Sequence, residues 1–207
     1  MTAQEAYEQA IFLIKGRWPE GERIISNDPV YSYLYAKNIL KKRWEEGEET
    51  IMTCPDWSYS YALEVVRGRW LEAEPVIMTD PTWAYMYALR VMQCRWVVAE
   101  PTIMSRSSSA YFYAANVICD CWPEAESKIM SSAELSYYYA LRILKRRWPE
   151  AEPIIATDPG WACCYAKNIL KSRWHQAENT ILGSIFREDY CRCFLRHNHQ
   201  DWSQEGF

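Results

Sequence analysis

The apolar positions of this chain return in the same order every 26 residues. Trp18, Trp44, Trp70, Trp96, Trp122, Trp148 and Trp174 mark the period, each preceded by arginine except Trp122, which follows Cys121. A fixed period in this range is the signature of a tandem array. Each repeat is one small supersecondary unit that cannot close its own core and is stable only against its neighbours. Numbered from the residue before the tryptophan, the repeats begin at Arg17, Arg43, Arg69, Arg95, Cys121, Arg147 and Arg173.

Two helices are predicted in each repeat. Asp28-Pro29, Asp80-Pro81 and Asp158-Pro159 place an N-cap before a proline at the first helical position, where proline's missing N–H costs nothing. The helix that starts there runs about 12 residues, through TWAYMYALRVMQ or GWACCYAKNILK, and Lys or Arg near its end suits the negative pole. The stretch before it, for example Pro149 to Thr157, reads as a shorter helix with acidic residues in its first turn. Pro75, Pro101 and Pro153 are tolerable only near that helix's start, so one to two turns of partly 3₁₀ character are expected. The fold class is all-α: an α-solenoid of about six and a half tandem αα-hairpins.

At about 100° per residue, repeat positions 16, 17, 19, 20, 23 and 24 of the longer helix share one arc. In the third repeat these are Ala84, Tyr85, Tyr87, Ala88, Val91 and Met92. The alanine at Ala36, Ala62, Ala88, Ala114, Ala140 and Ala166 is expected at the closest helix approach. Isoleucine at Ile25, Ile51, Ile77, Ile103, Ile129, Ile155 and Ile181 is expected to anchor the short helix in the same core. The chain divides into three segments: residues 1–16 as an N-terminal half repeat with Ala10 in register with Ala36, residues 17–182 as the array, and residues 183–207 as a divergent C-terminal cap. In that cap no Asp-Pro appears and Arg192 takes the alanine position.

Composition narrows the function. A net charge of -4 and a pI near 5.5 argue against a general nucleic-acid footprint, DNA included. No apolar run approaches a membrane span, and the opening MTAQEAYEQAIFLIKG lacks the features of a secretory leader. A soluble cytoplasmic protein is expected, its 8 cysteines reduced because they are scattered over repeat positions.

Catalytic signals are missing: there is no Gly-rich phosphate loop, no G-x-S-x-G and no H-E-x-x-H, and His175 is the sole histidine outside the terminal segment. A non-enzyme without cofactor is expected. Cys191, Cys193, His197 and His199 are ligand types that zinc accepts, but Cys191 and Cys193 would point apart on a continuous helix, so no metal is assigned. The arginine of each Arg-Trp pair and the glutamates Glu22, Glu48, Glu74, Glu100, Glu126, Glu152 and Glu178 have the chemistry of a bidentate ion pair. Recurrence in every repeat favours a structural ladder over a row of binding residues, and Cys121 shows that one rung can be missing.

Specificity is expected where the repeat varies. Position 18, opposite the buried arc, reads Leu34, Ser60, Met86, Phe112, Tyr138 and Cys164. Position 15 reads Tyr31, Trp57, Trp83, Ser109, Leu135 and Trp161, and position 22 reads Asn38, Glu64, Arg90, Asn116, Arg142 and Asn168. This aromatic, apolar and polar stripe has the composition of a protein interface. Its expected partner-binding residues are Tyr31, Leu34, Asn38, Trp57, Glu64, Trp83, Met86, Arg90, Phe112, Asn116, Tyr138, Arg142 and Trp161. The alternative is that position 15 packs against the adjacent hairpin and position 18 is incidental surface. The basic helix ends at 41–43, 67–69, 145–147 and 171–173 either complement helix dipoles or form an edge for a nucleotide or single-stranded RNA. The leading expectation is a scaffold for a protein partner. The alternative is a small-ligand or nucleotide binder with Trp, Tyr and Arg pockets between repeats. The oligomeric state is left open.

The line RWPEAEPIIATDPGWACCYAKNILKSRW resembles the tandem R-W-P-E-A-E-P repeats of bacteriophage and other virus-associated proteins, over about residues 17–182. More broadly the unit is similar to the helix pairs of tetratricopeptide solenoids, with a shorter period. The resemblance implies a short helical solenoid, a phage or viral gene product in the host cytoplasm, and a host or viral protein as partner. It transfers no catalytic residue.

Overall fold

The computed structural model of the protein describes residues 1–195, which are all-α with no strand among them. They build tandem helical hairpins of the α-solenoid class, grouped in two compact bodies, Met1–Ser109 and Ala110–Phe207. His197, His199 and Trp202 lie outside the described residues.

The first body opens on the helix Ala3–Glu8, whose N-terminus is closed by a capping box between Thr2 and Glu5. Short helices Pro19–Ile25, Glu45–Ile51, Glu74–Ile77 and Glu100–Ile103 then alternate with longer ones that begin at Pro29, Pro55 and Pro81. The Asp-Pro signals act as expected: Asp28 Oδ1 accepts the N–H groups of Val30 and Tyr31, and Asp80 Oδ1 those of Thr82 and Trp83. Cys54 holds the same place and makes no side-chain cap. Where Pro75 and Pro101 stand inside the short helix, its α-helical part shrinks to four residues with proline second, and a 3₁₀ turn, Val97–Ala99, leads into the latter. Each short helix packs more extensively on the preceding long helix than on the one it leads into.

The second body repeats the plan with short helices Pro123–Ile129, Glu152–Ile155 and His175–Leu182. Its long helices begin with Ala133–Tyr138 and Pro159–Tyr165, and Arg187–Phe194 comes after the last short helix. Ser132 and Asp158 cap its long helices.

The α-period does not persist to the end of the long helix. Pro29–Tyr35 passes into a π-helical segment, Ala36–Leu40, and the same change occurs at Ala62–Val66, Ala88–Met92, Ala114–Ile118, Tyr139–Leu144 and Ala166–Leu170. Each widened turn stops at a residue in the left-handed region: Lys41 (φ 54°), Arg67 (57°), Gln93 (55°), Cys119 (59°), Lys145 (53°) and Lys171 (52°), as does the half repeat at Lys15 (58°). The closure converges on the recurrent alanine. Ala62 O accepts the N–H groups of both Arg67 and Gly68, and Ala140 O those of Lys145 and Arg146. The wider turn shifts the phase of the positions beyond the recurrent alanine. Ala84, Tyr85, Tyr87 and Ala88 are buried as the wheel predicts, whereas Val91 and Met92 are only half-buried.

The core is as repetitive as the sequence. The seven recurrent isoleucines and the recurrent alanines are fully covered. Where position 16 is serine, its hydroxyl closes the hairpin, Ser32 donating to Ile25 O and Ser58 to Ile51 O at 3.1 Å each.

Candidate binding grooves

Two ladders frame the surface. In the first, the arginine of each Arg-Trp pair donates Nε and Nη2 to the two oxygens of the glutamate five residues on: Arg43 to Glu48 at 2.8 and 2.7 Å, Arg147 to Glu152 at 2.6 and 2.9 Å. A tyrosine hydroxyl completes the set, Tyr61 donating to Glu48 Oε1 (2.9 Å) while accepting the main-chain N–H of Trp44 (2.7 Å). Tyr35, Tyr87, Tyr139 and Tyr165 serve Trp18, Trp70, Trp122 and Trp148 in the same way. After Trp174 the pattern continues one residue early, with Tyr190 taking the role, so the described part of residues 183–207 prolongs the ladder.

These groups hold fixed protonation states. Hydrogen bonds from Arg173, opposed by burial and supported by the Tyr190 hydroxyl, hold the Glu178 carboxyl at about 2. Burial pushes the Tyr35 hydroxyl up to about 12, so it remains a donor. In the repeat that begins at Cys121, Tyr139 still bonds Glu126 (3.2 Å), and Glu126 makes no ion pair among the described residues.

The hydrogen bonds fall inside one repeat, whereas the ring contacts run between repeats. Trp44 lies 5.0 Å from Tyr35 and Trp70 4.8 Å from Tyr61 in the first body; Trp148 lies 5.0 Å from Tyr139 in the second. The indole N–H groups of Trp44 and Trp70 are buried with no hydrogen-bond partner among the described residues. It is the ring surface that position 2 supplies.

The second ladder absorbs part of the variable stripe. Position 15 packs on the position-17 tyrosine of the preceding repeat: Tyr31 on Tyr7 (5.7 Å), Trp57 on Tyr33 (5.6 Å), Trp83 on Tyr59 (5.3 Å) and Trp161 on Tyr137 (5.5 Å). Position 22 reaches the same tyrosine's hydroxyl. Asn38 Nδ2 donates to Tyr7 (2.9 Å), Asn168 Nδ2 to Tyr137 (2.7 Å), and Tyr33 donates to Glu64 (2.7 Å). Lys37 joins that last contact, bonding both Glu64 and Tyr33. Arg90 is exposed beside Tyr59 and opposes the rise that burial gives its hydroxyl. Position 18 is mixed: Leu34 and Met86 are half-buried, Tyr138 packs among Tyr111, Tyr137 and Trp161, and Phe112 is 45% exposed.

Open grooves lie between the ends of successive long helices. In the first body a groove of about 260 Å³ is lined by Ala36, Lys37, Asn38, Lys41, Glu64, Val65 and Arg67. Arg67 also borders the next, of about 160 Å³, with Leu63, Gly68, Arg90, Val91 and Gln93. The second body has a groove of about 290 Å³ at corresponding repeat positions, lined by Tyr111, Phe112, Ala115, Asn116, Cys119, Arg142, Ile143 and Lys145. Asn38, Glu64, Arg90, Phe112, Asn116 and Arg142 of the expected stripe therefore line grooves, and Tyr31, Trp57, Trp83 and Trp161 build the stack behind them. The sequence marks position 23 as part of the buried arc, and its signal for position 25 is the basic helix ends. Lys41, Arg67, Arg90, Arg142 and Lys145 are in no ion pair among the described residues.

Among the described residues no group of three His, Cys, Asp or Glu is placed to hold a metal ion. Cys191 and Cys193 lie on the continuous helix Arg187–Phe194, half-buried and exposed respectively. No helix of the described residues is long and apolar enough to cross a membrane. Comparison of the chain with protein-family models, with curated proteins and with solved structures finds no match.

Proposed function

We propose that the protein is a non-enzymatic binding scaffold that holds a segment of a partner protein in the grooves between the ends of its long helices. One observation carries this reading: the grooves recur at the same repeat positions on the same backbone, while their lining changes. Lys37, Lys41 and Glu64 in the first body give way to Ala115, Cys119 and Arg142 in the second, while Asn38 and Asn116 keep one place constant. A constant frame with variable lining is how a solenoid separates stability from recognition. In the second body an exposed Phe112 beside Arg142 supplies the aromatic and arginine pairing that anchors protein interfaces. The resemblance to virus-associated repeats makes a host or viral protein, met in the cytoplasm, the expected partner.

Selection of a random peptide library on the whole immobilised chain tests this. Selected peptides should bind the chain carrying Phe112→Ser with Arg142→Glu, or the one carrying Lys41→Gln with Arg67→Gln, about tenfold more weakly, with unchanged melting curves. A library that yields no peptide, or peptides indifferent to both variants, overturns the proposal.

A further inference from the structure

We infer, on the footing that the grooves bind a partner segment, that the paired grooves of the first body take an extended acidic peptide, its carboxylates meeting Lys41, Arg67 and Arg90 in turn. These three exposed cations line two grooves that share Arg67, and none is in an ion pair among the described residues. The one carboxylate in the lining, Glu64, is already taken by Lys37 and the Tyr33 hydroxyl. The face therefore presents uncompensated positive charge on a chain whose net charge is -4.

Helix-dipole complementation alone does not account for it. Each long-helix end carries a negative pole of about half an elementary charge, and each of these side chains brings a full positive one. The surplus attracts an anion. The same helix ends present last-turn carbonyls, for which a helix supplies too few internal donors. An extended peptide offers main-chain N–H groups to such carbonyls and carboxylates to the cations. A single-stranded nucleic acid has the charge but needs exposed rings on which its bases stack. Neither of these two grooves has an aromatic lining residue, and Tyr33 and Tyr59 are buried.

Spacing gives the peptide's pattern. Packed helices lie roughly 8–10 Å apart, and an extended chain rises about 3.3 Å per residue. One acidic residue in every three or so keeps step with the cations.

The test uses the whole chain and a fluorescein-labelled peptide of about twelve residues, with Glu at every third place and Gly, Ser or Ala between. Its probes of contrast are the same peptide with Gln for Glu and an oligouridylate of similar length. The Glu peptide should bind about tenfold more tightly than the Gln peptide, more weakly as salt rises, and about tenfold more weakly to chains carrying Arg67→Gln or Lys41→Gln with Arg90→Gln. Circular dichroism and melting curves of these variants should match the parent. Equal affinity for the Glu and Gln peptides, indifference to Arg67→Gln, or binding of the oligouridylate in place of the peptide overturns the inference. If library selection yields groove-dependent peptides that are not acidic, the scaffold reading stands and this inference alone falls.

Discussion

The hydroxyl of Tyr61 accepts the main-chain N–H of Trp44 at 2.7 Å, inside one repeat, while the Trp44 ring lies against Tyr35 of the repeat before. Trp44 is 3% exposed, so its N–H has no water to turn to. A ring pair of this kind contributes about 0.5–1.5 kcal/mol beyond its buried area. One residue thus fastens a short helix to the long helix on either side of it.

Tyr61→Phe keeps the ring and removes the hydroxyl, leaving the Trp44 N–H without its acceptor and the Glu48 carboxylate without one of its donors. Unfolding free energy should fall by about 1–3 kcal/mol, read from urea titration. A loss within the error of that titration would show that water replaces the hydroxyl and that the bond contributes little.

Cys121→Arg should restore the missing rung. Cys121 is exposed and Glu126 already has its Tyr139 donor, so the new guanidinium needs no core rearrangement. The arginines of the existing rungs are about half exposed, which limits the expected gain to about 0.5–1 kcal/mol. The pH sign comes from Glu152 and Glu178, whose carboxyls are held low chiefly by Arg147 and Arg173 respectively. A carboxyl depressed on folding stabilises above its unfolded value, about 4.3, and that stability is lost as pH falls through the folded value, about 2 for Glu178. The gain from Cys121→Arg should therefore be full at neutral pH and fade between about pH 4 and pH 2. Thermal melts across that range check it; a gain independent of pH would mean that the arginine acts by something other than this pair.

Gln93 closes its long helix with φ at 55°, a conformation that costs a side chain about 1–2 kcal/mol and glycine almost nothing. Gln93→Gly should raise stability by about 0.5–1 kcal/mol after the extra freedom of the unfolded glycine is deducted. An unchanged or lowered melting temperature would mean that the Gln93 side chain contributes contacts worth as much as the strain.

The period, the Asp-Pro caps, the buried isoleucine and alanine and the shortening of the short helix at Pro75, Pro101 and Pro153 were all legible, because each rests on a residue whose local chemistry admits few alternatives. The π-turn was not. Lys41, Arg67, Gln93 and Cys119 stand where a left-handed stop would usually announce itself by glycine, and a wheel of constant pitch hides the change of phase after Ala36 or Ala62. The sequence leaves open whether Trp57 and Trp83 are binding surface or pack against the adjacent hairpin, for a related reason: their partners, Tyr33 and Tyr59, lie on the preceding repeat, out of reach of any local pattern. Position 22 was legible as variable, and its groove became visible only when two helix ends stood side by side.

The hydrogen-bonded set of Arg43, Trp44, Glu48 and Tyr61 is complete within its own 26 residues. A whole repeat inserted ahead of Arg69 would arrive with every bond made and would add one groove, whereas an insertion that is not a whole number of repeats would part the Trp70 ring from Tyr61 of the repeat before. Length in this architecture is counted in repeats. Duplication and recombination in register are the changes it accepts, and each one enlarges the recognition surface without altering the frame that carries it.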